Sequence, residues 1–299
     1  MNASETPQIR AAPEWWAQPY KRAILNEALL KMPHSVLYHY TTQAGLLGIL
    51  NSREIWATHT QYLNDHREFR HALDIFREEL DVLASKNDDD EEAKCIQEMR
   101  SVVQDELSGV NVCVASFSEE SDSLSQWRAY AGNAGFAMGF QGEHLASLTA
   151  KDHAYLAPCI YDYDRQKTLV QALLQEVIEQ NLSPERLNLR PGGNLSAYLL
   201  RFAPLLKHRA FEAEREWRII TTPHSCGIPR FDFRAGASML TPFYRFPLDE
   251  EGIPFRVSRV VVGPTPHERE ATASVRSELV RLGLNDVAVT SSDVPFRNW

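Results

Sequence analysis

The 299 residues carry 40 Asp and Glu against 31 Lys and Arg, a formal net charge of −9. A hydrophobic fraction of 43% with 24% charged residues belongs to a globular chain and excludes disorder, collagen and coiled coil as global descriptions. No apolar run reaches the roughly 18 residues of a membrane helix, the first thirty residues lack a signal peptide's apolar run, and no dense Lys/Arg run suits a dedicated duplex-DNA wrapper.

A cytoplasmic protein with no membrane partner is therefore expected. Cys95, Cys113, Cys159 and Cys226 form no C-x-x-C pair, so reduced, structural thiols are the plain reading.

In chain order, residues 1–32 read as a polar tail followed by an amphipathic helix from Trp15 to Met32. Val36 to Tyr40 has strand composition, Thr41 or Thr42 can cap a helix from Gln43 to Asn51, and Ile55 to Thr58 reads as a second strand. Helices are expected from about His66 to Leu83 and Glu92 to Leu107, the acidic patch Asp88 to Glu92 being a solvated loop and first turn. Strands at Asn111 to Phe117 and Phe136 to Phe140 flank a short helix, Ser123 to Ala131.

A strand at Tyr155 to Tyr161 precedes helices from Arg165 to Asn181 and Asn194 to Ala210, joined by a Pro- and Gly-bearing loop at Leu182 to Gly193. Strands recur at Glu214 to Thr222, Met239 to Phe246 and Arg256 to Val262, then a helix at His267 to Leu282 and a strand at Val287 to Thr290. The pattern predicts an α+β fold with a single mixed, largely antiparallel sheet assembled from both halves of the chain. Residues 33–299 form one domain in this reading, with helical insertions near 65–107 and 165–210.

Three groups of residues could carry chemistry. His39-Tyr40-Thr41 stands where a strand passes into a helix, so His39 could bond a ligand hydroxyl and its neighbours an amide, or it could be a satisfied sheet histidine beside a helix cap. Asn64-Asp65 with Glu68, and Phe117-Ser118-Glu119 with Trp127 and Tyr130, pair polar loops with aromatic rings, as a pocket for a planar ring would, although capping and core packing explain them too. In Glu212 to Arg218, alternation from Glu214 puts Glu214, Glu216 and Arg218 on one face and Arg215, Trp217 and Ile219 on the other. That carboxylate pair could stabilise a developing cation, with Arg218 holding one carboxylate, or form a ladder of ion pairs.

Taken together, Leu37-Tyr38-His39-Tyr40-Thr41-Thr42, Gly48-Ile49-Leu50, Ile55-Trp56-Ala57-Thr58, Leu63-Asn64-Asp65 with Glu68, the stretches 115–119, 122–131 and 135–140, and Lys207 followed by Glu214-Arg215-Glu216-Trp217-Arg218 form a pattern. It resembles the bacterial family filed as domain of unknown function 2971, over roughly residues 36 to 262. A more distant resemblance, carried by His39-x-Thr41 on an early strand and Glu214-x-Glu216 on a late one, is to the ADP-ribosyltransferase superfamily.

That second resemblance implies an ADP-ribosyltransferase-like fold and NAD as substrate, with no metal. His39 would hold a ribose hydroxyl, Tyr40 and Thr41 the nicotinamide amide, and Tyr62 or Tyr130 would stack on the ring. Asn64, Asp65, Ser118, Trp127 and Arg218 would line the site, with Arg128 and Lys207 as further cations for the pyrophosphate. Glu216 or Glu214 would stabilise the oxocarbenium-like ribose. The implied activity is transfer of ADP-ribose to a macromolecular acceptor, protein or nucleic acid, or hydrolysis of NAD, as in toxins and phage-defence effectors. A metal-dependent nuclease or phosphodiesterase using Asp65, Glu68, Glu214 and Glu216, and a non-enzymatic sensor or binding module, remain the alternatives.

Overall fold

A computed structural model describes residues 21–33, 35–63, 66–86, 89–104, 111–130, 132, 134–183, 191–236 and 238–295. The first described helix, α1 (Ala23–Leu30), leads into β1 (Val36–Thr42), α2 (Gln43–Ser52) and β2 (Glu54–His59). Thr42 caps α2 by accepting the Gly45 amide at 3.2 Å, and Arg53 ends it in the left-handed region at φ 56°. The helices α3 (His66–Lys86) and α4 (Asp90–Gln104) follow, and Asp90, Glu91 and Glu92 occupy the first turn of α4, where the helix dipole favours them.

Next come β3 (Cys113–Ser118), α5 (Leu124–Tyr130), β4 (Gly135–Gln141), α6 (Gly142–Lys151) and β5 (Tyr155–Pro158). The long α7 (Tyr163–Leu182), capped by Asp162 on the Arg165 amide at 2.8 Å, precedes α8 (Pro191–Phe202). After two 3₁₀ turns, Ala203–Leu205 and Arg209–Glu214, the chain closes with β6 (Glu216–Ile220), β7 (Phe231–Ala235), β8 (Leu240–Pro247), β9 (Arg259–Val262), α9 (Glu268–Arg281) and β10 (Ala288–Ser291).

The fold is α+β around one mixed sheet whose strands come from both halves of the chain. Its order runs β10-β9-β4-β1-β3-β2-β8-β7, with β6 also paired to β3 and β5 to β6. Only β9 and β10 pair in parallel among the described strands. β3 is the branch point: one edge pairs along Val114 to Ser118 with β6, while the other meets β2 at Cys113 and Val114 and β1 at Ser118.

Because side chains alternate across a strand, each face of the sheet has its own cover. One face sends Leu37, Phe117, Met138, Trp217, Tyr244 and Val260 into a core closed by α2, α6 and α9. On the other, Val114, Ala157 and Ile220 lie under α1, α3, α4, α7 and α8, and Tyr38, Tyr40, Ala137 and Val261 lie under Trp127 of α5.

Several boundaries differ from the sequence reading. The expected strand from Glu214 begins at Glu216 because Arg215 takes φ 43° and the residues before it form a 3₁₀ turn. The helix expected to Ala210 ends at Phe202, and the strand expected to Tyr161 stops at Pro158. α6 and β7 had no counterpart in that reading. Residues 1–20, and with them the start of the expected first helix, lie outside the described residues, as do 105–110 and 184–190.

Close approach explains one glycine. A Cβ on Gly263, just after β9, would lie 2.9 Å from the Gly135 carbonyl oxygen and 3.0 Å from the Trp127 ring. Gly263→Ala should therefore cost about 1–3 kcal/mol through forced displacement of a packed ring and a paired backbone, read as a lower urea midpoint at an unchanged slope.

Candidate functional site

The charged residues at the start of β6 converge, but on one another. Lys207 Nζ contacts Glu214 Oε2 and lies 2.5 Å from Glu216 Oε2. Arg218 Nε donates to Glu216 Oε1 at 2.7 Å and its NH2 to Oε2 at 3.1 Å, while NH1 donates to the Pro204 carbonyl at 2.6 Å. Both oxygens of Glu216 are thus engaged by cations. Lys207, Glu216 and Arg218 are 1%, 4% and 3% exposed, so this is a buried cluster of two acids and two bases.

The backbone around it is fixed as well. The Glu216 amide donates to the Tyr161 hydroxyl at 2.8 Å, Ser118 Oγ donates to the Glu214 carbonyl at 2.7 Å, and Gln166 Nε2 donates to the carbonyls of Ile160 and Lys207 at 2.5 and 2.8 Å. Burial by itself would push the Glu216 carboxyl up, but Arg218 and then Lys207 outweigh it and hold the group at about 2. The Tyr161 hydroxyl, by contrast, is pushed up by burial.

His39 does not share this face. Cross-strand partners point the same way; Tyr38 pairs with Ser118, and Ser118 pairs with Glu216. The row Tyr38–Ser118–Glu216 therefore lies on the face of the ion cluster. His39 lies on the opposite face with Phe117, 5.6 Å away between ring centroids. It is half-buried, Nδ1 donates to the Ser116 carbonyl at 2.9 Å, and burial lowers its pKa, leaving a neutral, satisfied sheet histidine. The expected single cleft containing His39 and Glu216 is not formed, because the sheet itself stands between them. Thr41 shares the face of His39.

The other candidates are also spread out. Tyr40 donates to the Glu120 carbonyl at 2.7 Å, accepts the Ser123 amide at 3.0 Å and meets the Trp127 ring edge-on at 4.6 Å. Trp127 is 1% exposed with Nε1 donating to Asp122 at 2.6 Å, and Tyr130 packs against the same small core, so both are packing residues here instead of ring-stacking surfaces. Tyr62 stands half-exposed beside His59, whose ring is 5.4 Å away. Asn64 and Asp65, and the side chain of Glu68, lie outside the described residues. Arg128 is exposed on α5, while Lys207 and Arg218 are committed to Glu214 and Glu216.

Metal ligation finds no support at the carboxylates, because the Lys207 ammonium sits between Glu214 and Glu216. Among the described residues no group of three or more His, Cys, Asp or Glu is placed to hold a metal ion.

A ligand-sized recess lies elsewhere, and sequence reasoning missed it. A cleft of about 630 Å³ opens where the end of β4 and start of α6 (Gln141, His144) meet the approaches to β9 (Arg256, Ser258) and β10 (Asn285, Asp286). His144 Nε2 is buried there without a hydrogen-bond partner, and desolvation, then Arg256, lowers the pKa of its ring. No local motif marks this site, since it gathers residues from three separate segments.

Comparison with known proteins bears on the ion cluster. Residues 126–219 match the model of a family described as protein of unknown function (DUF2971). The DUF2971 segment runs from Gln126 in α5 to Ile219 in β6, so it contains Trp127, Lys207, Glu214, Glu216 and Arg218 and leaves out His39, Thr41 and Ser118. No curated protein and no solved structure matches the chain. No helix among the described residues is long and apolar enough to cross a membrane.

The cluster carries two expectations. Lys207→Met should destabilise by about 3–5 kcal/mol, since it removes one partner of the buried Glu216 and the ammonium that Glu214 contacts, measured by chemical unfolding. Glu216 has a folded pKa near 2, below its ordinary 4.5, so its contribution is complete above about pH 4.5 and fades as pH falls toward 2. Wild type should lose stability across that interval more steeply than Glu216→Gln, read from thermal melts at stepped pH.

Proposed function

We propose that this chain is a binding or sensing module on an ADP-ribosyltransferase-like scaffold, with Glu216 serving the fold instead of catalysis. The placement of β1 and β6 on either side of β3, with paired acids opening β6, supports the scaffold reading. The observation that carries the functional reading is the complete engagement of Glu216 by Lys207 and Arg218 below the surface. Stabilising an oxocarbenium-like ribose requires a carboxylate aimed at a position the substrate can occupy. Glu216 is aimed at fixed cations, and His39 points away on the other face.

A second reading, an NAD-consuming transferase or hydrolase, is favoured by one feature. The Glu214 side chain, at 13% exposure against 4% for Glu216, is the carboxylate of the cluster nearest to solvent. In that case Glu214 would face the ribose, Lys207 would hold it ionised, and the acceptor would be a protein or nucleic acid.

Nicotinamide release from NAD, by the purified chain with and without cell lysate, separates the two. The binding-module reading expects no release above buffer, with wild type, Glu214→Gln and Glu216→Gln indistinguishable. Release that Glu214→Gln abolishes while the melting temperature is kept would replace it with the NAD-consuming reading.

A further inference from the structure

On the face that elsewhere carries the helical layer and α5, the strands β2, β8 and β7 present an aromatic and basic surface. Trp56 and Thr58 of β2 pair with Arg245 and Phe243 of β8, so these side chains share that face, and Asp232 and Arg234 of β7 continue it. Trp56 is 49% exposed and lies nearly parallel to Phe243, with ring centroids 4.4 Å apart and an interplanar angle of 28°. Phe243 is itself buried, so the indole rests on a rigid ring and offers its other face outward. Beside it, Arg234 NH2 donates to Thr58 Oγ1 at 3.0 Å, and Arg245 donates to the Pro229 carbonyl while its Nε is buried without a partner.

Among the described residues neither arginine forms an ion pair, although Arg22, Arg53, Arg77, Arg100, Arg215 and Arg218 all do. The carboxylates on this face do not neutralise them. Asp232 Oδ1 accepts the neighbouring Phe233 amide at 2.8 Å, and Glu54, two residues before Trp56 on the same face, forms no ion pair with Arg234 or Arg245 among the described residues. In a chain of net charge −9, cations left unmatched around an exposed indole are suited to an anionic partner that also brings flat rings.

We propose that the β2–β8–β7 face binds single-stranded nucleic acid, a base stacking on Trp56 while Arg234 and Arg245 meet the phosphates. Stacking needs an unpaired base, which a duplex keeps inside its helix, and the arginines need a repeating anion. The proposal gives the binding module of the preceding section its ligand class and rests on that reading. Its assay is separate from nicotinamide release, so either can fail alone.

The test is fluorescence anisotropy of the full chain with labelled oligo(dT), oligo(U) and a duplex of equal length, at low and moderate salt. Binding to either single strand is expected, weakening with salt, with the duplex bound less tightly. Trp56→Ala should weaken it by about tenfold, the usual scale for loss of one stacked base, and Trp56→Phe should retain most of it. Arg234→Ala should lower both the affinity and the salt dependence. Thermal melts confirm that each variant is folded, and a variant that is not is replaced by Trp56→Leu or Arg234→Gln, which also remove the flat ring or the charge. No binding of either single strand, equal binding of duplex, or binding indifferent to Trp56 and Arg234 would each overturn the proposal.

Discussion

The contact of Glu216 with Lys207 and Arg218 is the constraint on which one end of the sheet depends. It joins β6 to the turn after α8 through Arg218 and the Pro204 carbonyl, and to α7 through Gln166 on the Lys207 carbonyl. Taking these charges out of water is costly, and their mutual attraction recovers that cost only with the full set of hydrogen bonds in place. Two acids against two bases leave no net charge for a ligand to neutralise. The cluster is thereby closed chemically as well as sterically, and the 3₁₀ turn Arg209–Glu214 is held against it through Glu214.

The branch at β3 explains why one sheet can be sealed at one end and open at another. β1 and β2 both pair with the same edge of β3, at opposite ends of it, so the sheet diverges into one arm through β4, β9 and β10 and another through β8 and β7. On the face of Val114 and Ser118, α5 covers the first arm and the helical layer covers β3, β6 and β5. The second arm extends past these covers, which is how Trp56 stays exposed on a strand whose other face, Ile55 and Ala57, is wholly buried.

Much of this was legible in the sequence. Alternation in Glu216-Trp217-Arg218-Ile219 correctly separates the charged side chains from the apolar ones, and of the two threonines that could cap the helix after β1, Thr42 does so. What was not legible is the relation between distant strands. Whether His39 and Glu216 share a face turns on the pairing of Ser118 with both Tyr38 and Glu216, and a slip of one residue would reverse the answer. α6 was hidden because Gly142 follows β4 with no side-chain cap, and β7 because an edge strand exposed over Asp232 to Ala235 shows no alternation of burial to read.

The contrast between the two charged regions bears on function. Preorganised charge acts on a ligand only where it is aimed at a place the ligand can occupy. At the head of β6 every cation is aimed at a carboxylate of the same chain, and Arg218 and Lys207 hold the Glu216 carboxyl below its usual range in spite of its burial. On the β2–β8–β7 arm Arg234 and Arg245 hydrogen-bond only to neutral oxygens, and the exposed Trp56 ring shares their face. The carboxylate cluster is where the sequence draws attention, since acidic residues at a strand start are unusual. The physics of pairing moves that attention to the charges left unmatched, because recognition needs an interaction that the fold has not already made.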